Sequence, residues 1–404
     1  MEVERTGSSS WRLLPGLSRA APHRRPIGAS QAANVSPLCR MSYFGHGCGR
    51  MKPCKSVFAR RRGDVRRPKG GRRLKPVQIK RFTGFEPPSW RGLVRPLRSG
   101  RYRVDDRRPG GDAPKDFLWV YECVPGGVRR SNPAAWPAFI AKVGHQFYPA
   151  ESATEQIMTR VGQLCGLDIA DSRLMLCANQ LRFLSRYFLG ADEILNHGAE
   201  ILIGYVADKQ FVDGVAHDKA EKTLFTFQVF CTAIKTRFPE HHEDLLAGFV
   251  RMIGFDALVG NQDRHFYNWG VITHLTGAVP PRFAPIYDTA RGLFWNTPES
   301  GLAKYANPDS LQAYVRRSTP QIGWDGWNKD KAGDLSHFEL VTSVAADDAS
   351  YWRLLKKLSE RALQSLGECE GMIDAEFTDI LTPRRRDLIK RCLRLRFETF
   401  ATIL

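Results

Sequence analysis

The stretch of this 404-residue chain that most restricts its fold is a polar loop followed by two strand-like runs. The loop is Gly260-Asn261-Gln262-Asp263-Arg264-His265-Phe266-Tyr267-Asn268. Residues 269–274 (WGVITH) and 282–287 (RFAPIY) follow it, with Thr-Gly-Ala-Val-Pro-Pro as turn chemistry between them. A hairpin over these runs brings its two ends together. Asn268 and Asp288 are therefore expected as cross-strand neighbours, roughly 5 Å apart at the backbone. Ahead of the loop, Leu245, Phe249, Ile253 and Ala257 recur at every fourth position and predict a helix over 243–258.

Asp263 and Asn268 stand in the order Asp-x-x-x-x-Asn, the spacing with which a phosphoryl-transfer loop supplies a base and a magnesium ligand. A carboxylate returned beside them at Asp288 gives two oxygen ligands and a third acid at one point, which suits magnesium and phosphate. Such a site also needs a cation for the α/β-phosphates and an acid to hold it. Lys142 is the one charge in the apolar strand Ala138-Phe139-Ile140-Ala141-Lys142-Val143. A buried ammonium requires a partner or a ligand, so Lys142 is the candidate cation. Glu155, early in the next helix, is its candidate partner, and Glu151 offers the same pairing. Each residue has a plainer reading. Lys142 can reach solvent from a strand end, Glu155 can complement a helix macrodipole, and Asp263 and Asn268 can cap turns. Asp288 can cap the segment it precedes, and Arg264 can bind phosphate or form an ion pair. His265 is read first as a histidine bracing the loop and second as a proton shuttle.

The net charge of +18 sits at one end of the chain. Residues 1–80 hold 19 Lys or Arg against Glu2, Glu4 and Asp64, whereas the rest holds 41 basic and 39 acidic residues. Residues 1–75, rich in Arg, Pro, Gly and Ser, are expected to form a disordered basic extension. It is a solvated tail, a nucleic-acid-binding arm, a transit peptide, or translated sequence ahead of a start at Met41 or Met51. Residues 76–189 are expected as a small β-rich, nucleotide-covering lobe, with strands at 77–82, 117–124, 139–143, 172–177 and 180–187 and a helix over 153–165. Residues 190–404 predict a larger, mainly helical lobe that carries the metal-binding hairpin. Its helices fall at 218–238, 243–258 and 351–366, and Thr382 as N-cap with Pro383 opens the last. Nine cysteines and no secretory signal point to reduced thiols and a cytoplasmic location. The intervals of Cys39, Cys48 and Cys54 around His46 do not match a zinc pattern. No run of 18 apolar residues predicts a membrane span.

Together these residues resemble the HipA-type serine/threonine kinases. Phe139-Ile140-Ala141-Lys142 is similar to that family's small-lobe lysine strand. Ala153-Thr154-Glu155 through Gly166-Leu167-Asp168-Ile169 is similar to its Asn-Glu helix and Gly-Leu turn. Leu184-Ser185-Arg186-Tyr187 stands where the family has an Arg-Phe hinge beside the adenine. Gly260 to Asn268 is similar to its Gly-Asn-x-Asp-x-His-x-x-Asn catalytic loop, and Ala284-Pro285-Ile286-Tyr287-Asp288-Thr289 to its Pro-x-Tyr-Asp metal segment. The resemblance covers about residues 136–295, with weaker similarity to the C-terminus. It implies an α+β, bilobal protein-kinase-like fold and transfer of the γ-phosphate of ATP to a protein serine or threonine. It further implies Asp263 as base with His265 beside it, Asn268 and Asp288 as Mg2+ ligands, Lys142 and Glu155 at the phosphates, and a hinge over Ser185, Arg186 and Tyr187. Some family members act as toxins beside a DNA-binding antitoxin, which adds an antitoxin-like partner to the expectations. The family's Gly-rich, serine-bearing phosphate loop has only a loose counterpart in Gly126 to Ser131. Phe188 and Leu189 replace the charged residues that usually follow the hinge. Asp-Arg-His-x-x-Asn also resembles the loop of phosphoinositide kinases, so a lipid or small-molecule kinase stays as an alternative, as does a catalytically silent binding module.

Overall fold

The computed structural model describes residues 3–6, 10–13, 73–77, 94–107, 114–122, 132–145, 148, 150–217 and 221–404. They belong to two units, Met1–Asp64 and Val65–Leu404. In the first, β1 (Val3–Thr6) and β2 (Ser10–Leu13) pair as an antiparallel hairpin. The rest of the expected basic extension, the strand expected over 77–82 beyond its first residue, and Gly126 to Ser131 lie outside the described residues.

The second unit opens with a small lobe. It comprises β3 (Tyr102–Val104), β4 (Lys115–Val120), β5 (Ala138–Val143), α1 (Glu151–Leu164), β6 (Ser172–Cys177) and β7 (Gln180–Arg186). The strands form one antiparallel sheet in the order β3-β4-β5-β7-β6. Leu118, Val120, Phe139, Ala141, Cys177 and Leu184 pack with Leu74, Leu97 and Tyr102 to make its core. α1 lies over β6 and β7, with Ile157, Met158 and Val161 wholly buried. It ends where Gly166 turns left-handed at φ +72°, the position at which a helix stop favours glycine. The central place of β5 sets Lys142 between Lys115 and Phe183 on the neighbouring strands.

The larger lobe begins with β8 (Glu193–His197), α2 (Gly198–Val206), α3 (Lys209–His217), α4 (Glu221–Leu224), α5 (Phe227–Arg237) and α6 (His242–Val259). β9 (Gly270–His274) and β10 (Arg282–Phe283) follow, then α7 (Pro308–Arg316), α8 (Lys329–Ala332), α9 (His337–Asp347), α10 (Ala349–Phe377) and α11 (Pro383–Thr402). α6 is apolar on nearly every side, as a helix enclosed by others must be. α5, α9, α10 and α11 pack around it. Its C-terminal end delivers the catalytic-loop candidate to the lobe boundary. Thr382 caps α11 by accepting from Arg385 N, with Pro383 at the first helical position.

Three expectations change. The helix over 218–238 is interrupted, because Thr226 is extended and caps α5 while bridging to Gly323. A side chain at Gly323 would meet the Lys222 carbonyl at 1.8 Å, so this crossing admits only glycine. α10 runs past Gly367 and Gly371, whose missing side chains face open space, while Cys369, Met372, Ile373 and Phe377 keep the helix anchored. The third change concerns the hairpin. β9 pairs with β10 on one side and β8 on the other, and its register sets Arg282 opposite Ile272 and Phe283 opposite Val271. That register carries Asn268 opposite Ile286, two residues short of Asp288. Pro285 has no N–H to continue the ladder, and Ile286 instead exchanges hydrogen bonds with Asp168 O and Ala170 N. Asn268 and Asp288 are therefore not cross-strand partners.

Among the described residues no helix is long and apolar enough to cross a membrane. Cys165, Cys177, Cys231, Cys369 and Cys392 are buried free thiols.

Candidate active site

Lys142 is 8% exposed, and its ammonium is paired on two sides. Nζ donates to Glu155 Oε1 at 2.7 Å and to Asp288 Oδ1 at 2.5 Å. The pairing of Lys142 with Glu155 is thus present, and Asp288 joins it from the other lobe. Burial works against the Lys142 charge, but the two carboxylates outweigh it and raise its pKa. Burial also opposes ionisation of Asp288, yet Lys142 and Lys115 bring its carboxyl down to about 2. Glu155 differs. Burial dominates there, and with the nearby Asp288 charge it pushes the carboxyl up to about 7 against the pull of Lys142. Asp288 holds a left-handed backbone, φ +55°. This is sparsely populated by residues other than glycine and is concentrated at functional sites.

The loop after α6 is fixed from below. Gly260 is left-handed at φ +69°, and a Cβ there would lie 2.9 Å from the Arg396 guanidinium. Asn261 is buried and donates from Nδ2 to Asp256 Oδ1 at 2.9 Å. His337 Nε2 lies 2.8 Å from Asn261 O. Its Nδ1 lies 2.9 Å from Ser318 O and 3.1 Å from the Ser318 hydroxyl, which accepts from Arg396. Burial first, and Arg396 second, bring the His337 imidazole down to about 3, so it is neutral.

Arg264 joins the loop to the candidate metal segment. It is 1% exposed. Nε and Nη2 grip Asp256 at 2.9 Å each, Nη2 also donates to Thr289 Oγ1 at 2.7 Å, and Nη1 donates to Asn268 O at 2.8 Å and Tyr287 O at 2.5 Å. The ion-pair reading of Arg264 holds, and its guanidinium is spent on protein groups. What brings Asn268 and Asp288 into one neighbourhood is this buried side chain. Asn268 Nδ2 donates to Asp263 O at 2.7 Å, and its Oδ1 makes no hydrogen bond among the described residues. Burial raises the Asp263 carboxyl to about 6, aided by Asp288 and opposed by Arg291, Arg264 and Lys142. His265 accepts from Tyr267 N at 3.3 Å, and its carbonyl accepts from Asn268 N at 2.8 Å. Both contacts fit a loop brace.

Ser185 lies inside β7, paired with Ile140 and Ser172. The amides of Arg186 and Tyr187 donate to Asp171 O and Ala138 O at 2.7 and 2.9 Å, and the Tyr187 ring packs edge-on to Phe117. Among the described residues the amides of Phe188 and Leu189 make no hydrogen bond.

Among the described residues no group of three or more His, Cys, Asp or Glu forms a metal site alone. Asn268 Oδ1 with Asp288 is the partial oxygen set that magnesium accepts when phosphates and water complete its shell. Sequence reasoning missed three participants. Asp256 and His337 are buried partners of the loop that carry no motif. Arg291, three residues past Asp288, donates from Nη1 to Asp263 Oδ1 at 2.9 Å, and its position as the lone cation after the metal segment was the available signal.

A model of the HipA-like C-terminal domain matches residues 110–363, beyond both ends of the stretch where the motifs lie. No curated protein matches the chain. Among solved structures, the Helicobacter pylori proinflammatory kinase CtkA is similar at 15% identity with a TM-score of 0.60, over 76% of this chain and 97% of that one. HipA of Shewanella oneidensis MR-1, solved with HipB and operator DNA, aligns at 12% identity with a TM-score of 0.43, over 78% of this chain and 66% of that one. The likeness to CtkA establishes the α+β, bilobal kinase-like fold.

Proposed function

This chain belongs to the HipA-like C-terminal domain family, and from that premise we propose that it is an ATP- and magnesium-dependent kinase acting on protein serine or threonine hydroxyls. The observation that carries this reading is the convergence at Lys142. One ammonium joins Glu155 of the small lobe and Asp288 of the larger one at 2.7 and 2.5 Å. Arg264 binds the Asp288 segment to the loop that presents Asp263 and Asn268.

In this reading Lys142 grips the α/β-phosphates and Glu155 fixes its direction. The acceptor hydroxyl approaches Asp263. Its oxygen bonds to the γ-phosphorus as the bond to the β–γ bridging oxygen breaks, leaving ADP, and its proton passes to the Asp263 carboxylate. A carboxyl raised to about 6 is ionised at neutral pH yet more basic than an ordinary aspartate, which suits a general base. Magnesium held by Asn268 and Asp288 would neutralise charge on the phosphate oxygens. With the Arg186 and Tyr187 amides engaged, the backbone of Phe188 and Leu189 takes the adenine edge, and Ser185 to Tyr187 form the strand end behind it. A nucleic-acid role for residues 1–75 rests on charge alone.

The test is incubation of wild-type and Asp263→Ala protein with γ-labelled ATP, Mg2+ and a cell lysate, followed by mass spectrometry of labelled products. Label on protein serine or threonine, lost at least about 100-fold in the variant, is the expected result. Label on lipid or a small molecule would reassign the acceptor. Absence of any transfer by the wild-type chain would overturn the reading.

A further inference from the structure

Arg291 has a position that the reading above leaves unused. Its backbone is fixed: its carbonyl accepts from Gln262 N at 3.0 Å, and a Cβ on the adjoining Gly292 would meet Val259 O at 2.7 Å and Met158 Sδ at 2.9 Å. Its side chain is only partly committed. Nη1 donates to Asp263 Oδ1 at 2.9 Å, and the guanidinium carbon lies 5.3 Å from the centre of the Trp295 ring. Nε is buried with no hydrogen-bond partner. The nearest carboxylate oxygen paired with it, Glu151 Oε1, is 3.8 Å away, beyond hydrogen-bond length. The other Glu151 oxygen is engaged by His145 N at 2.6 Å.

A buried donor left unpaired is rare in folded proteins and calls for a ligand or a role. The place of this one is specific. A general base stands within hydrogen-bond reach of the hydroxyl it activates, and that hydroxyl stands in line with the phosphorus it attacks. A guanidinium held against Asp263 therefore lies within one phosphoryl group of the atoms in transfer. A planar fork of donors matches the equatorial oxygens of that phosphoryl.

We propose that Arg291 is a catalytic residue of this site, donating hydrogen bonds from Nε and Nη to the phosphoryl group as it passes from ADP to the acceptor oxygen. The inference rests on the kinase reading. Arg291 transfers no proton and forms no covalent bond. The acceptor proton goes to Asp263, the electron pair of the broken bond goes to the β-phosphate oxygen, and Arg291 disperses the charge that spreads over the equatorial oxygens between those events. Its ground-state tie to Asp263 holds it in readiness and keeps the base oriented before substrate arrives.

The experiment compares binding of MgADP with binding of MgADP plus aluminium fluoride, a mimic of the phosphoryl in flight, to the full chain in wild-type, Arg291→Gln and Arg291→Lys forms. Wild-type is expected to bind the mimic more tightly than MgADP. Arg291→Gln is expected to lose most of that gain while MgADP affinity stays within about threefold, with kcat down by about 10³-fold, the lower end for such arginines, and the KM for ATP little changed. Arg291→Lys, which keeps the charge and loses the fork, is expected to restore little, and it carries the test should Arg291→Gln not fold. Equal loss of MgADP and mimic affinity would mark Arg291 as a structural brace and overturn the proposal. An undiminished gain in the variants would overturn it as well. A wild-type chain that neither prefers the mimic nor transfers phosphate would remove the kinase reading itself, and this assignment with it.

Discussion

Two arginines flank the candidate metal segment and are treated in opposite ways by the fold. Arg264, at the base of the loop, is wholly buried and spends its guanidinium on Asp256, two backbone carbonyls and Thr289. Arg291, at the mouth, is 37% exposed in its side chain, holds one oxygen of Asp263, and keeps a buried Nε unpaired. A saturated buried cation is scaffold, because removing it orphans every group it served. An unsaturated one beside a candidate catalytic carboxylate retains bonding capacity for a ligand. Arg182 and Arg386 also leave Nε unpaired, so what sets Arg291 apart is the place of its unmet donor, beside Asp263.

The largest effect expected from this contrast is on the scaffold side. Arg264→Gln leaves Asp256 as an uncompensated buried charge and should cost about 3–5 kcal/mol, read as a large drop in thermal midpoint. Arg264→Lys should not rescue it, since one ammonium cannot span those partners. Should Arg264→Gln melt like wild-type, the division into scaffold and ligand arginines fails. The next effect is on pH. His337 braces the same loop as a neutral imidazole near pKa 3 against an ordinary 6.5. The unfolded chain therefore takes up one more proton between those values. The stabilisation is complete above about 6.5 and falls by about 1.4 kcal/mol per pH unit as pH drops through that window. Denaturant titrations at pH 7 and 5 should differ accordingly, and His337→Gln should flatten the difference. Gly260→Ala forces a left-handed backbone on a residue with a Cβ and crowds Arg396. It should lower stability by about 1–2 kcal/mol, checked by urea unfolding. The smallest effect is on the other side of the contrast. Arg291→Gln should shift stability by no more than about 1 kcal/mol, measured on the same urea curves. A large loss there would move Arg291 into the scaffold class.

Much of the site was legible in the sequence because its parts are local. The lysine strand, the α1 acid and the Asp-x-x-x-x-Asn loop each sit in one element, and periodicity or turn chemistry marks that element. Lys142 and Glu155 meet as expected because β5 and α1 are consecutive and packed on one sheet. What failed was register. The strand-like run over 282–287 hid the effect of Pro285, which ends the ladder and hands Ile286 to the Asp168–Ala170 segment. The convergence of Asn268 and Asp288 came instead through Arg264, a residue whose ion-pair and phosphate-binding readings the sequence left undecided. Asp256 and His337 were invisible for a related reason. Their partners are backbone carbonyls and side chains that only the tertiary fold brings near. The extent of α10 was missed because exposed glycines weaken a helix by about 1 kcal/mol each without ending it, and tertiary packing supplied the difference.

The proposed kinase chemistry depends most on a magnesium–phosphate site shared by Asn268, Asp288 and Lys142. The most direct test is calorimetric titration of ATP into the full chain with and without Mg2+, in wild-type and Asp288→Asn forms. Mg2+ is expected to tighten ATP binding to the wild-type protein by at least about tenfold, a difference of about 1.4 kcal/mol, and the variant to lose this gain. ATP binding to the wild-type chain that is indifferent to Mg2+ would contradict it.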